Sequence, residues 1–387
     1  MSINSDEFSD IRPFSDGEAA VALAGIADVP LVSTISRMLY PDEASDFLGN
    51  ALKHISGIDE FQHHAIKRGV EWIIRNSMRD FSYDGIENLR KVNGRFVSMS
   101  NHRDIIVDPA IAQYILATNG FPTSQLCVGD NLLSNPFVAT LLKANKMIKV
   151  VRGVSARSLL MASKHLSEYI RQTVTSGESS VWIAQREGRA KDGFDLTSQG
   201  LVKMLDMSGT GDFVSDFMEL NIIPLSISYE YESCDILKAR EILISRTQKY
   251  VKRENEDVES IVQGIRQWKG SVHLNIGEPL SRAEIEEAAG CVKNDRYTLI
   301  RRAVDRRIIK GYRLWKTNYM GYDLAEGTNK YASNYTAEEL ESFKAYIERQ
   351  LDTVEPSLDR NELREILLGI YGNPVIAREN LESGIQS

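Results

Sequence analysis

The segment from Ser100 to Pro109 carries side chains suited to proton transfer. His102 stands with two carboxylates, Asp104 and Asp108, just after the apolar stretch Arg95–Ser100, which is typical of a short buried strand. Open α/β sheets bind ligands at the carboxyl ends of their strands. A histidine oriented by a buried carboxylate takes protons from hydroxyl groups. The pattern therefore predicts a general base here; the alternative is a histidine that only holds a turn together.

Two acids compete as the partner of His102. Asp108 lies six residues later, about 240° away on a regular helix, so the two meet only if the intervening residues form a turn or bulge. Asp108 precedes Pro109 and an apolar run, which predicts a helix with Asp108 as N-cap and Pro109 at N1. We favour Asp108, and Asp104 stays a candidate whose alternative role is an Asx-type turn.

A second polar segment follows the apolar stretch Ser180–Ala184. Its chemistry-bearing residues are Glu187, Gly188, Arg189 and Lys191. Guanidinium groups match phosphate oxygens, and glycine lets backbone N–H groups approach an anion. The segment therefore predicts a phosphate-binding loop, although a solvated surface loop has a similar composition.

Three further apolar segments are typical of strands. Lys146–Gly153 contains Arg152 near its end, Asn221–Tyr229 contains Pro224, and Ser271–Leu280 ends in a turn. By its position alone, Arg152 is an ordinary charge at the end of a strand. A proline within a strand usually marks an edge or an irregular position.

These segments, in this order over roughly residues 92–280, resemble the signature blocks of the glycerolipid acyltransferase family, in its bacterial branch. Glycerol-3-phosphate and lysophosphatidate acyltransferases typify that family. Its first block is N-H-x-x-x-x-D; Asn101 and His102 match the start, and Asp108 lies one residue later than the pattern places the acid.

The other blocks resemble the family in a similar way. Glu187 and Gly188 match the E-G-x-R-S block, with Arg189 one position earlier than the family's basic residue. Arg152 matches the arginine that closes an apolar strand in the second block. Pro224 matches the strand proline of the fourth.

The resemblance implies an acyltransferase of phospholipid synthesis. His102 would be the base, oriented by Asp108 or Asp104, and the acyl group would pass from acyl-CoA or acyl carrier protein to a hydroxyl of glycerol 3-phosphate or lysophosphatidate. The residues implied to bind the acceptor are Arg152, Glu187, Gly188, Arg189 and Lys191. No metal and no cofactor besides the acyl donor is implied. The alternatives are a thioester hydrolase that uses the same histidine and acid, and a non-catalytic protein that binds lipids or acyl carriers.

Length and composition favour one large core with additions. The 387 residues, 42% of them hydrophobic, predict an α/β fold: a mixed, mainly parallel sheet flanked by helices, as the resemblance also implies. The predicted regions are a helical N-terminal region (1–90), the α/β core (91–280) and a helical C-terminal region (281–387). Ser281 and Glu284 form a capping-box pattern, and the segment 336–339 predicts another helix start.

Charge and cysteine usage exclude several functions. A net charge of −8 argues against broad nucleic-acid binding, and the three scattered cysteines argue against a disulfide framework or a zinc site. No run of eighteen apolar residues occurs, and Met1–Glu7 lacks the features of a signal peptide, so we expect a cytoplasmic protein, with peripheral contact at the inner face of the membrane as an option. The basic stretch Arg301–Arg313 predicts a helix whose charges contact anionic lipids, an acidic acyl carrier or only solvent.

Overall fold

The computed structural model describes residues 7–253 and 256–385, and within them seven strands form one sheet. The strands are β1 (Asp80–Asp84), β2 (Val97–Ser100), β3 (Gln125–Gly129), β4 (Met147–Val150), β5 (Val181–Ala184), β6 (Ile223–Tyr229) and β7 (Ser271–Ile276). Their order across the sheet is β1-β7-β6-β2-β5-β3-β4. β2 to β6 run parallel to one another, and β1 and β7 run the opposite way. The predicted mixed, mainly parallel α/β sheet is confirmed.

Helices flank this sheet and extend beyond it at both ends of the chain, as predicted. The first eight are α1 (Asp16–Ile26), α2 (Pro30–Leu39), α3 (Phe47–His54), α4 (Ile58–Phe61), α5 (Lys67–Ser77), α6 (Val107–Thr118), α7 (Pro136–Ala144) and α8 (Ala156–Thr175). The others are α9 (Gln199–Asp206), α10 (Phe213–Met218), α11 (Asp235–Thr247), α12 (Glu256–Arg266), α13 (Arg282–Ala289), α14 (Asp295–Gly311), α15 (Lys316–Glu326), α16 (Ala337–Leu351) and α17 (Arg360–Glu382). α13 begins with the predicted capping box, and α16 begins at the predicted helix start, where Thr336 and Glu339 also form a capping box.

Apolar side chains pack on both faces of the sheet, since the crossovers between parallel strands place helices on each side. β2 and β6 are buried along their whole length. One layer lies between the sheet and α8, α9, α10, α13 and α14, and the other between the sheet and α5 and α6. α11 and α15 to α17 share a separate apolar cluster, as do α1 to α4 with α7.

β2 lies where the winding of the sheet reverses. After β2 the chain forms β3 and β4, returns as β5 on one side of β2, and then forms β6 on the other side. The carboxyl end of β2 is therefore bordered by loops that leave the sheet in different directions. In open α/β sheets such a position creates a crevice for ligands.

The structure changes three details of the predicted architecture. β1 falls within the segment 1–90 that is predicted to be helical, and neither β1 nor β3 is among the predicted strands. β1 has the sequence DFSYD. Its aspartates and serine interrupt the apolar pattern by which a strand is predicted. Pro224 lies in an internal strand rather than at an edge; it is the second residue of β6, and its carbonyl accepts a hydrogen bond from Gly277 N at 2.8 Å.

The apolar face of α14 is buried. Ile300, Val304 and Ile308 are fully covered, so this face is not available to a membrane. Among the described residues, no single helix is long and apolar enough to cross a membrane, although α1 and α2, bent by 101°, meet the criteria as a pair. Residues 1–6, on which the expectation of no signal peptide chiefly rests, lie outside the described part of the chain.

Candidate active site

His102 follows β2 by two residues and meets Asp108. The segment between them is irregular, as the spacing requires, and His102 Nδ1 donates to Asp108 Oδ2 at 2.9 Å. The histidine side chain is 14% exposed and that of Asp108 is 1% exposed. The indole of Trp182 meets the imidazole edge to face, with ring centroids 5.8 Å apart. The imidazole is thus fixed from one side while part of it faces solvent.

Asp108 accepts three further hydrogen bonds. The backbone N–H groups of Arg103 and Asp104 donate to Oδ2 at 2.5 and 2.8 Å, and Tyr229 donates its hydroxyl to Oδ1 at 2.6 Å. Burial and the Asp108 charge raise the pKa of Tyr229 well above its usual value. The phenol therefore stays protonated and acts as a donor, and the carboxylate is held in one orientation.

Asp104 has a different role. Its Oδ1 accepts from the backbone N–H groups of Ile106 and Val107 at 2.9 and 2.8 Å, and Ser233 donates its hydroxyl to Oδ2. These bonds form the Asx-type turn that is the alternative for this residue. The geometry therefore pairs His102 with Asp108 and uses Asp104 to shape the loop.

The predicted capping role of Asp108 is wrong. α6 begins at Val107, so Asp108 and Pro109 are its second and third residues, and Ile106 stands at the N-cap without a side-chain bond. Asp104 accepts the N–H groups at the helix start instead. Because Asp104 satisfies those donors, the Asp108 side chain is free to turn toward His102.

The loop after β5 lies against the His102 loop. Gln185 N donates to Ser100 O at 2.8 Å, and Ala190 N donates to His102 O at 2.7 Å. Gly188 has φ +71°, a left-handed conformation that suits glycine. The backbone pairing of β5 with β2 thus continues into this loop and brings the loop backbone next to that of His102.

The two arginines of the predicted phosphate site retain donors without partners. Arg189 Nη2 donates weakly to Ser260 Oγ at 3.4 Å, and Arg189 Nη1 is buried without a hydrogen-bond partner among the described residues. Arg152 Nε is also buried without a hydrogen-bond partner among the described residues, and it forms a long ion pair of 3.8 Å with Glu187 Oε1, whose side chain is 77% exposed. Unsatisfied guanidinium donors in a crevice are suited to an anionic ligand.

Lys191 is engaged elsewhere. Its ammonium group forms an ion pair with Glu241 of α11. The structure therefore places Glu187, Gly188 and Arg189 on the loop that is bonded to the His102 backbone, and it places Arg152 within 3.8 Å of Glu187 on that loop. It pairs Lys191 with a neighbouring helix.

Comparison with known proteins agrees with this geometry. Residues 80–228 match the family model described as Acyltransferase. This part of the chain is similar to that family. The matched region, or acyltransferase domain, runs from β1 almost to the end of β6 and contains His102, Asp108, Arg152 and Arg189.

The chain is similar to two known proteins. The glycerol-3-phosphate acyltransferase of Pseudomonas fluorescens (strain SBW25) is 27% identical over 222 residues, which are 57% of this chain and 25% of that protein. The chain thus spans about a quarter of that relative's length. The crystal structure of the 1-acyl-sn-glycerophosphate (LPA) acyltransferase PlsC from Thermotoga maritima aligns with a TM-score of 0.39 at 15% identity, covering 76% of this chain and 94% of that one.

A buried ionic network supports the acyltransferase domain beneath His102. Arg103 is fully buried and donates to Asp195 at 2.6 Å and to Glu232 at 3.3 Å, and its guanidinium lies 5.0 Å from the ring centroid of Tyr312. Burial opposes its charge, but Asp195 and Glu232 outweigh burial and hold the pKa of Arg103 well above its usual value. Lys238 donates to Glu232 at 2.5 Å and to Arg103 O at 2.7 Å.

Neither Tyr229 nor this network is predicted from the sequence. Tyr229 ends a predicted strand. A prediction that β6 lies beside β2 and parallel to it would have placed Tyr229 near His102. Arg103 follows His102 directly at the end of a buried strand, where a charge needs a partner. Its partners lie 92 and 129 residues away, so no local pattern identifies them.

Proposed function

We propose that the protein transfers an acyl group from a thioester, acyl-CoA or acyl carrier protein, to a hydroxyl of a glycerol-phosphate acceptor, glycerol 3-phosphate or lysophosphatidate. One observation carries this proposal: the His102–Asp108 pair lies on a loop bonded to the loop that bears Arg189, and Arg152 and Arg189 both have a buried donor that lacks a hydrogen-bond partner among the described residues. Water as the attacking group would need no such cationic groups, which favours acyl transfer over thioester hydrolysis.

The mechanism follows from the protonation states of the pair. Asp108 accepts the Nδ1–H of His102, which leaves the Nε2 lone pair to take a proton. His102 Nε2 removes the proton of the acceptor hydroxyl as its oxygen attacks the thioester carbonyl. The tetrahedral intermediate collapses, the C–S bond breaks, and the imidazolium returns the proton to the leaving thiolate. The ester forms without an acyl-enzyme.

Arg152 and Arg189 would hold the acceptor phosphate, with Gly188 leaving its backbone open to the anion. Binding the phosphate presents the hydroxyl to His102 with much of its orientational entropy already lost. Glu187 lies near enough to Arg152 to orient it. Lys191 is paired with Glu241 and contributes to the placement of the loop instead.

A lipid acceptor would be presented by a membrane, and we propose peripheral contact at its cytoplasmic face. Val154, Leu159, Leu160 and Met161 are between 42% and 66% exposed. They lie within nine residues after Arg152, at and just before the start of α8. Apolar side chains at this position support contact with lipid acyl chains beside the phosphate site.

The test measures thiol release from acyl-CoA and from acyl carrier protein, with and without each acceptor. We expect acceptor-dependent release, a loss of kcat on the order of 10²–10⁴-fold in His102→Ala, and a raised KM for the acceptor in Arg189→Ala. His165→Ala is the matched control, because His165 also pairs with an aspartate, Asp10, at 3.1 Å. Equal release without acceptor would show a hydrolase, and unchanged turnover in His102→Ala would refute the proposed base.

A further inference from the structure

The basic helix α14 borders a cavity away from His102. The cavity has a volume of about 210 Å³ and lies between α14 and the end of α17. Arg302, Asp305 and Arg306 line it from α14. Arg302 and Arg306 are four residues apart and therefore share one face of the helix.

Arg302 and Arg306 form a cationic wall of the cavity that retains hydrogen-bond donors without partners in the described part of the chain. Arg302 Nε is buried without a hydrogen-bond partner among the described residues, and Arg306 is exposed. Asp305 does not neutralise them, because its carboxylate is already bonded to Arg301 Nη1 at 3.1 Å and to Thr197 N at 2.7 Å. The wall therefore presents two guanidinium groups to an anion.

The rest of the cavity is largely apolar. Ile309 of α14, Leu381 of α17 and Ile385 just beyond it contribute side chains, and Ile385 is 61% exposed. Covering apolar surface here gains about 25 cal/mol per Å². The volume is smaller than the roughly 300–1,000 Å³ of pockets for drug-sized ligands, which limits the occupant to a chain of medium length.

We propose that this α14/α17 cavity is a binding site for a medium-chain fatty carboxylate such as octanoate. The carboxylate pairs with Arg302 and Arg306, and the alkyl chain covers Ile309, Leu381 and Ile385. The site uses the basic stretch of α14, whose apolar face packs inside the fold. It is separate from the His102 crevice and does not depend on the proposed reaction.

Isothermal titration of the whole chain with octanoate tests the proposal, with octanol lacking the charge and acetate lacking the chain. We expect saturable binding of octanoate, and binding of octanol and acetate weaker by about tenfold or more. Arg302→Gln combined with Arg306→Gln should weaken octanoate binding about tenfold, while Lys310→Gln, which removes an exposed cation from the same helix, should leave it unchanged. Leu381→Ser should weaken octanoate and leave acetate unaffected.

A further titration separates this cavity from the proposed acyl site. His102→Ala should bind octanoate as the unaltered protein does, whether or not the protein proves to be an acyltransferase. Absence of saturable octanoate binding would overturn the proposal, as would equal binding by the double arginine variant. Loss of binding in His102→Ala would place octanoate in the crevice instead and would equally overturn it.

Discussion

At the scale of single residues, Asp108 determines what His102 can do. Four donors share its two oxygens, so the carboxylate cannot rotate freely. A carboxylate acceptor at Nδ1 fixes the histidine tautomer and leaves the Nε2 lone pair open. Tyr229 is the one side chain other than His102 among these donors, which makes it a positioning residue in the proposed reaction.

Tyr229→Phe should lower kcat about tenfold with little change in the KM of either substrate, because the phenol touches Asp108 rather than a ligand. Without that donor the Asp108 carboxylate is held less firmly, and so is the imidazole that it orients. Steady-state kinetics with both substrates measure kcat and the two KM values.

Tyr346→Phe provides the matched control for this substitution. Tyr346 also donates to a buried aspartate, Asp235, at 2.6 Å, but it belongs to the C-terminal helical cluster. An equal loss of kcat in both variants, or a loss in Tyr229→Phe that appears in KM rather than in kcat, would contradict a positioning role for Tyr229.

The sequence predicts the local part of this site and misses the long-range part. His102 and Asp108 are six residues apart, and the helix signal after Asp108 is enough to favour it over Asp104, although the capping reason for that choice is wrong. Tyr229 lies 121 residues from Asp108 and reaches it only because β6 pairs with β2. A pattern within one segment carries no information on such pairing.

At the scale of elements, apolar periodicity predicts most of the sheet. β2, β5, β6 and β7 fall within predicted strands because parallel strands covered on both faces are nearly continuous apolar runs. β1 escapes this rule as an edge strand whose polar residues stay partly exposed. α14 shows a different limit: its sequence reveals charges and an apolar face, but only packing decides that the face is internal.

The contact between α13 and α14 predicts a dependence of stability on pH. Arg307 of α14 donates two hydrogen bonds of 2.8 Å to Glu284 of α13, which also accepts from Ser281 N. Burial alone would raise the pKa of Glu284, but these bonds lower it from 4.5 to about 2. A depressed carboxyl pKa stabilises the fold above the unfolded value of 4.5, and this stabilisation is lost as pH falls toward 2.

Glu284→Gln should therefore lower the free energy of unfolding by about 1–3 kcal/mol near neutral pH, and the difference from the unaltered protein should shrink below pH about 4.5. Urea unfolding at several pH values measures this. Glu286→Gln is the control on the same helix, because its pairing with Arg282 at 3.4 Å is solvent-exposed. A difference that stays constant down to pH about 3 would mean that the ion pair is not its source.

At the scale of the whole molecule, Arg103 joins parts of the chain that are distant in sequence. It starts from the loop after β2 and contacts Asp195 after β5, Glu232 after β6 and Tyr312 after α14. Lys238 of α11 closes the network. The segment that carries His102 is thus tied by buried charges to the region beyond the acyltransferase domain.

Arg103→Ala should destabilise the fold by about 3–5 kcal/mol, since it leaves buried carboxylates without their cation. Arg360→Ala removes an arginine that also has two acidic partners, Glu348 and Asp352, but is 45% exposed, and should cost less than about 1 kcal/mol. Adding Asp195→Asn to Arg103→Ala should recover part of the loss, because one uncompensated charge is removed with it. Urea unfolding of the four proteins gives these differences. If Arg103→Ala cost no more than Arg360→Ala, the network would not stabilise the contact between the His102 segment and the region beyond the acyltransferase domain. The His102 loop would then be held in place by apolar packing alone.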